Sequence, residues 1–182
     1  GFNEVIDFKN IQTGDIDAAA ISALNDADRI LKEVLAVKST ACTFENTLLQ
    51  MDNLYNTVSK VWNIIGLLSS THPSKEIRNE ADDNDLRIQK YMVDLSINKN
   101  LYHIILTYSK SREAQTLTGG RKRFLQSELR DFKRSGMEIK GEKREKLKEL
   151  QTQLTELTIA FSNNITSNED TLFITNNMTE GL

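Results

Sequence analysis

Apolar residues recur along this chain at steps of three and four over most of its length. Ile16, Ala20, Ala23, Leu24, Ala27, Ile30, Leu31, Val34 and Leu35 draw one stripe, the pattern of a helix with one buried face. Leu48, Met51, Leu54, Tyr55, Val58, Val61, Trp62, Ile65 and Leu68 draw a second, and Ile77, Ala81, Leu86, Ile88, Tyr91, Met92 and Leu95 a third. A shorter fourth runs through Leu101, Ile104, Ile105 and Tyr108. Phe124, Leu125, Leu129 and Phe132 line a fifth, and Leu147, Leu150, Leu154, Leu157 and Phe161 a sixth.

Polar residues mark the boundaries. Thr13 reads as the N-cap of the first helix, with Asp15 and Asp17 at its positive end. Thr43 reads as the cap of the second, with Glu45 and Asn46 in the first turn. Pro73 suits the first turn of the third, which runs to about Asn98. Leu117-Thr118-Gly119-Gly120 reads as a loop and Ser135-Gly136 as a helix stop. The last helix extends from Glu142 to about Asn164, with only two to three heptads of register, short for a coiled coil. Phe2 to Ile11 has an extended look, and Leu172 to Thr175 is short and β-prone.

The pattern therefore predicts an all-α chain: an up-and-down array of about six helices over 14–166, with a lead-in at 1–13 and a short extended C-terminal tail at 167–182. The whole reads as a single helical domain, 1–182. One proline and eight glycines in 182 residues are few breakers, which suits long helices.

Composition narrows the partners. No apolar run approaches the ~20 residues of a membrane helix, so no membrane insertion is expected. Residues 121–148 carry a local excess of Lys and Arg although the chain as a whole is at −3. Glu128, Asp131, Glu142 and Glu145 interleave with that block at helical spacing. This is a solvated, internally paired face, and no nucleic-acid partner is expected. The single Cys42 excludes an internal disulfide and suits a reducing, cytoplasmic setting. Gly1 at the start, where a Met would stand, leaves room for an upstream signal and a periplasmic or exported setting.

Candidate chemistry is sparse. A catalytic zinc needs three protein ligands and an open position. His72 and His103 are the two histidines, and neither is followed by glutamate. Ala81-Asp82-Asp83-Asn84-Asp85 lacks the spacing and glycine of a calcium loop and reads as a solvated helix face. Gly119-Gly120 is not a phosphate-binding loop, and no Ser–His–Asp set can be assembled. Trp62 reads as core and Cys42 as a structural thiol. No catalytic and no metal-ligating residue is assigned.

Five segments carry a resemblance. Leu129-Arg130-Asp131-Phe132 followed by Ser135-Gly136, then a charged helix, then Phe161-Ser162-Asn163-Asn164, are the first two. Thr43-Phe44-Glu45-Asn46-Thr47, Asn100-Leu101-Tyr102 and the stretch from Leu172 to Leu182 are the others. Their order and gaps resemble the non-catalytic N-terminal part of thimet-oligopeptidase-like zinc metallopeptidases, the family that includes oligopeptidase A and the peptidyl-dipeptidases. Thr179 departs from it, standing where the family has an aliphatic residue before x-G-L.

The resemblance implies a neurolysin-like helical domain forming one wall of a deep channel that admits short peptide substrates. It implies a partner, the C-terminal catalytic domain of the same polypeptide. That domain carries H-E-x-x-H and the zinc that polarises the scissile carbonyl and activates water. None of those residues maps onto this sequence, so no cofactor is expected in this chain and zinc is expected in the parent enzyme. The expected contact with the catalytic half is Phe161, Leu172, Phe173, Ile174 and Leu182, close to the C-terminus. The alternative is a free-standing helical module that binds a protein or peptide in a groove between its helices, without enzymatic activity.

Overall fold

The computed structural model describes residues 7–139 and 141–166, and they are helical almost throughout. Among the described residues seven helices follow one another: α1 (Asp15–Leu35), α2 (Leu48–Thr71), α3 (Lys75–Ser96), α4 (Lys99–Ser109), α5 (Arg112–Thr116), α6 (Gly119–Arg134) and α7 (Glu142–Thr166). A 3₁₀ turn, Ser39–Ala41, lies between α1 and α2. No strand occurs among the described residues. The all-α expectation is met. The helix beyond the six legible stripes is α5, whose five residues are too few to show a period. The β-prone segment Leu172–Thr175 and the rest of the tail lie outside the described residues.

Cross-helix bonds fix the directions. Ser69 and Trp62 of α2 donate to Asp82 and Asp85 of α3, so α2 and α3 run antiparallel. Glu80 and Arg87 of α3 meet the start of α1 at Gly14 and Asp17, in parallel register. Lys148 and Glu156 of α7 pair with Asp94 and Lys90 of α3, antiparallel again. α6 packs on α4, and Phe132 of α6 lies 5.7 Å from the Tyr102 ring of α4.

The core lies between α1, α2 and α3 and continues to α4. Ala20, Ala27, Val34, Leu48, Met51, Leu54, Ala81, Ile88, Leu101, Ile105 and Tyr108 are fully enclosed. The alanines of α1 let its backbone come close to its neighbours. Each enclosed Leu or Ile contributes about 1.5–3 kcal/mol. Leu24, Leu31, Leu35, Tyr91 and Met92 border this core and are half-buried. Asn84 is also enclosed; it donates to the Glu80 carbonyl and accepts from Arg87.

Several boundaries differ from the sequence expectation. Gly14, not Thr13, caps α1; its φ is +98° and it has no side chain to offer. The cap comes instead from α3, where the Glu80 carboxylate accepts from the Gly14 and Asp17 amides at 2.9–3.0 Å. Ser74 caps α3, its hydroxyl accepting from the Ile77 amide, so Pro73 lies before the helix and not in its first turn. α3 ends at Ser96, and Asn98 caps α4 through the Leu101 amide. Gly119 and Gly120 form the first turn of α6 rather than a loop. Gly119 has φ +56°, a conformation that favours glycine at the start of the helix. Gly136 stops α6 at φ +83°, where the sequence places the stop.

Candidate functional site

The segment Thr43-Phe44-Glu45-Asn46-Thr47 proves to be a structural knot. Thr43 and Asn46 exchange bonds in the manner of a capping box: the Thr43 amide donates to Asn46 Oδ1 at 2.8 Å, and the Asn46 amide to Thr43 Oγ1 at 3.2 Å. Thr47 is fully buried and its hydroxyl donates to the Thr43 carbonyl, so α2 itself starts one turn later than Thr43 suggests, at Leu48. The Phe44 amide donates to Glu113 of α5, and the Phe44 ring carries the Arg121 guanidinium of α6 at 4.5 Å. Glu45 pairs with the same Arg121 at 3.1 Å. The knot thus ties the starts of α2, α5 and α6 together.

The candidate chemical residues do not come together. His72 is half-buried at the end of α2, its Nδ1 accepting from the Ser74 amide. His103 stands exposed on α4, at the rim of a crevice shared with Tyr102, Leu106, Met137 and Arg144. Cys42 is half-buried, and desolvation raises its thiol pKa, which leaves it a poor nucleophile. Asp82 and Asp85 are not the free solvated face the acidic run suggests, since they receive the hydrogen bonds of Ser69 and Trp62. Trp62 is half-buried at this α2–α3 seam. Among the described residues no three His, Cys, Asp or Glu side chains are placed to hold a metal ion. No described helix is long and apolar enough to cross a membrane.

The surface that stands out is on α7. This helix lies against α3 with its polar side. Lys148 meets Asp94 at 2.5 Å, Glu156 meets Lys90 at 2.7 Å, and Gln151, Thr152 and Thr155 are partly covered. Hydrogen bonding to Asp94 raises the Lys148 pKa. The opposite side carries Leu150, Leu154, Leu157, Phe161 and Ile165, each between 50% and 68% exposed. Phe161, the expected contact residue, is therefore in the open, and the structure adds four neighbours to it. Leu172, Phe173, Ile174 and Leu182 lie outside the described residues. Periodicity showed the stripe; it could not show that α3 takes the other face.

The fold and this surface define a helical domain with one long apolar seam left uncovered. The chain belongs to the neurolysin/thimet oligopeptidase N-terminal domain family, whose model matches residues 22–144. It is 26% identical over 148 residues to a thimet-like oligopeptidase of Dictyostelium discoideum, covering 80% of this chain and 22% of that protein. It is 27% identical over 158 residues to oligopeptidase A of Haemophilus influenzae, covering 87% of this chain and 23% of that protein. With oligopeptidase A of Escherichia coli the identity is 25% over 162 residues, 89% of this chain and 24% of that one. The chain thus spans less than a quarter of the length of these curated relatives.

Proposed function

We propose that this chain is the channel-wall domain of a zinc-dependent oligopeptidase that hydrolyses short peptides, with the catalytic residues in a C-terminal domain of the same polypeptide. Membership of the N-terminal domain family carries the proposal. The relatives' names supply the activity, and their length supplies the space for a second domain. No group of metal ligands occurs among the described residues, and the proposal assigns the metal and the catalytic steps to that second domain.

What these helices contribute is shape. The α1–α2–α3 core and the knot at Thr43–Thr47 make a stiff body, and a stiff wall can hold a channel at a width that excludes folded proteins. Cytoplasmic residence, suggested by the lone Cys42, is part of the same proposal.

The test is to follow the coding sequence past Leu182 and express the longer product. The expected result is an H-E-x-x-H motif and cleavage of short peptides that a chelator removes and zinc restores. Replacing the motif glutamate should abolish cleavage and leave these helices folded. A longer product with no such motif, inactive with zinc on a broad panel of short peptides, would replace this reading with a binding module.

A further inference from the structure

We infer that the outward side of α7 from Leu150 to Ile165 seats a single amphipathic helix, supplied by the same polypeptide C-terminal to Leu182. The inference rests on the proposed two-domain enzyme, and adds the kind of element that covers α7 and the residues it grips.

The charge pattern of α7 comes first. Residues 142–149 are charged at every position except Leu147, as befits a helix in water. From Leu150 to Thr166 the one charged side chain is Glu156, and it is tied to Lys90 of α3. The side that carries the leucines and Phe161 has no charged residue, and an apolar stripe on a helix is the face that packs against another element. α3 covers one side and the exposed seam lies on the other.

The seam's geometry then selects the occupant. Leu150, Leu154, Leu157, Phe161 and Ile165 are spaced by four, three, four and four residues. At 3.6 residues per turn they fall within a strip about 80° wide. That is the width of one helix contact. A sheet packed on α7 would meet a broader face. Leu157, Ala160, Phe161 and Asn164 line a depression and stand at i, i+3, i+4 and i+7, the four corners of a hole that receives one side chain of a partner helix. Ala160 at one corner lets the partner come close. The seam is about 22 Å long at 1.5 Å per residue, so the occupant presents about four turns.

The source follows from the relatives' length, more than three-quarters of which lies outside the part this chain matches, and from the match to an N-terminal domain. A tethered occupant is always present at high effective concentration, which an uncharged apolar seam requires if it is not to aggregate.

The experiment compares the 182-residue chain with the longer product by hydroxyl-radical footprinting. It also places a photo-crosslinking residue at Ala160. Oxidation of Leu154, Leu157 and Phe161 should be slower by about tenfold in the longer product. The crosslink should land on one downstream segment whose apolar residues recur at three and four. Equal oxidation in a longer product that cleaves peptides overturns the inference and leaves the enzyme proposal standing. A crosslink to a second copy or to a strand also overturns it. Loss of zinc-dependent cleavage with the seam still protected strikes the enzyme proposal instead.

Discussion

The Tyr55 hydroxyl of α2 donates to the Glu128 carboxylate of α6 at 2.9 Å, in a site where Glu128 is 9% exposed. Among the described residues no cation pairs with this carboxylate. Burial raises its pKa, the Tyr55 bond opposes that rise, and Asp131 and Asp52 add to it. Burial beside the same carboxylate also pushes the Tyr55 phenol up. Tyr55→Phe removes the donor and leaves a buried acceptor, so it should cost about 1–3 kcal/mol in urea unfolding.

The same pair gives a pH dependence with a definite sign. The folded state holds the Glu128 proton to higher pH than the unfolded state does. Between the ordinary carboxylate value and the raised folded value, folding binds a proton, so this group's contribution to stability falls as pH rises. Glu128→Gln keeps an acceptor for Tyr55 and removes the titration. Unfolding midpoints measured from pH 4 to 7 should show the variant gaining on the native chain as pH increases. Parallel curves would contradict this.

Glu80 caps a helix other than its own. Its carboxylate takes the Gly14 and Asp17 amides, which have no partner within α1. Glu80→Ala should cost about 1–2 kcal/mol, as loss of an N-cap does. Hydrogen exchange should accelerate first at these two amides.

Two glycines should respond oppositely to alanine. At Gly136, with φ +83°, a Cβ would stand 2.3 Å from Leu147 Cδ2 and 3.0 Å from Ile139 Cδ1. Gly136→Ala should destabilise by more than the ~1 kcal/mol of an unfavourable backbone alone. Gly120 has open space around its Cα and helical backbone. Gly120→Ala should stabilise by about 0.4–1 kcal/mol. Thermal unfolding of the two variants checks both.

Among the described residues, the sequence showed six of the seven helices because each carries an apolar stripe at helical spacing; in five of them that stripe is the buried face, whereas on α7 it is exposed. It missed α5, which is held by Ser111 as cap and by Glu113 on the Phe44 amide rather than by a stripe. It placed a cap at Thr13 and Pro73 in a first turn because local rules favour those residues there, whereas the α1 cap comes from Glu80 across the fold and α3 starts after Ser74. It made Gly119-Gly120 a loop because paired glycines disfavour helix, whereas Gly119 with φ +56° opens α6 and Gly120 continues it. Phe161 was legible as part of an apolar stripe, and the structure leaves it exposed. Which face of α7 meets α3 depends on Asp94 and Lys90, far off in sequence, and no local pattern carries that.

Buried and exposed leucines separate the core from the open seam. Leu54→Ala empties an enclosed position and should cost about 2–5 kcal/mol. Leu154→Ala, on the open seam, should change the stability of the 182-residue chain by no more than about 0.5 kcal/mol. A large loss from Leu154→Ala would mean that the seam is already covered within this chain.

The central claim is that these helices are the non-catalytic part of a zinc peptidase. Its most direct test is metal analysis of the purified 182-residue chain with a peptide-cleavage assay alongside. The account predicts no stoichiometric zinc and no cleavage of short peptides by this chain alone. One tightly held zinc per chain, with peptidase activity that a chelator removes, would contradict it.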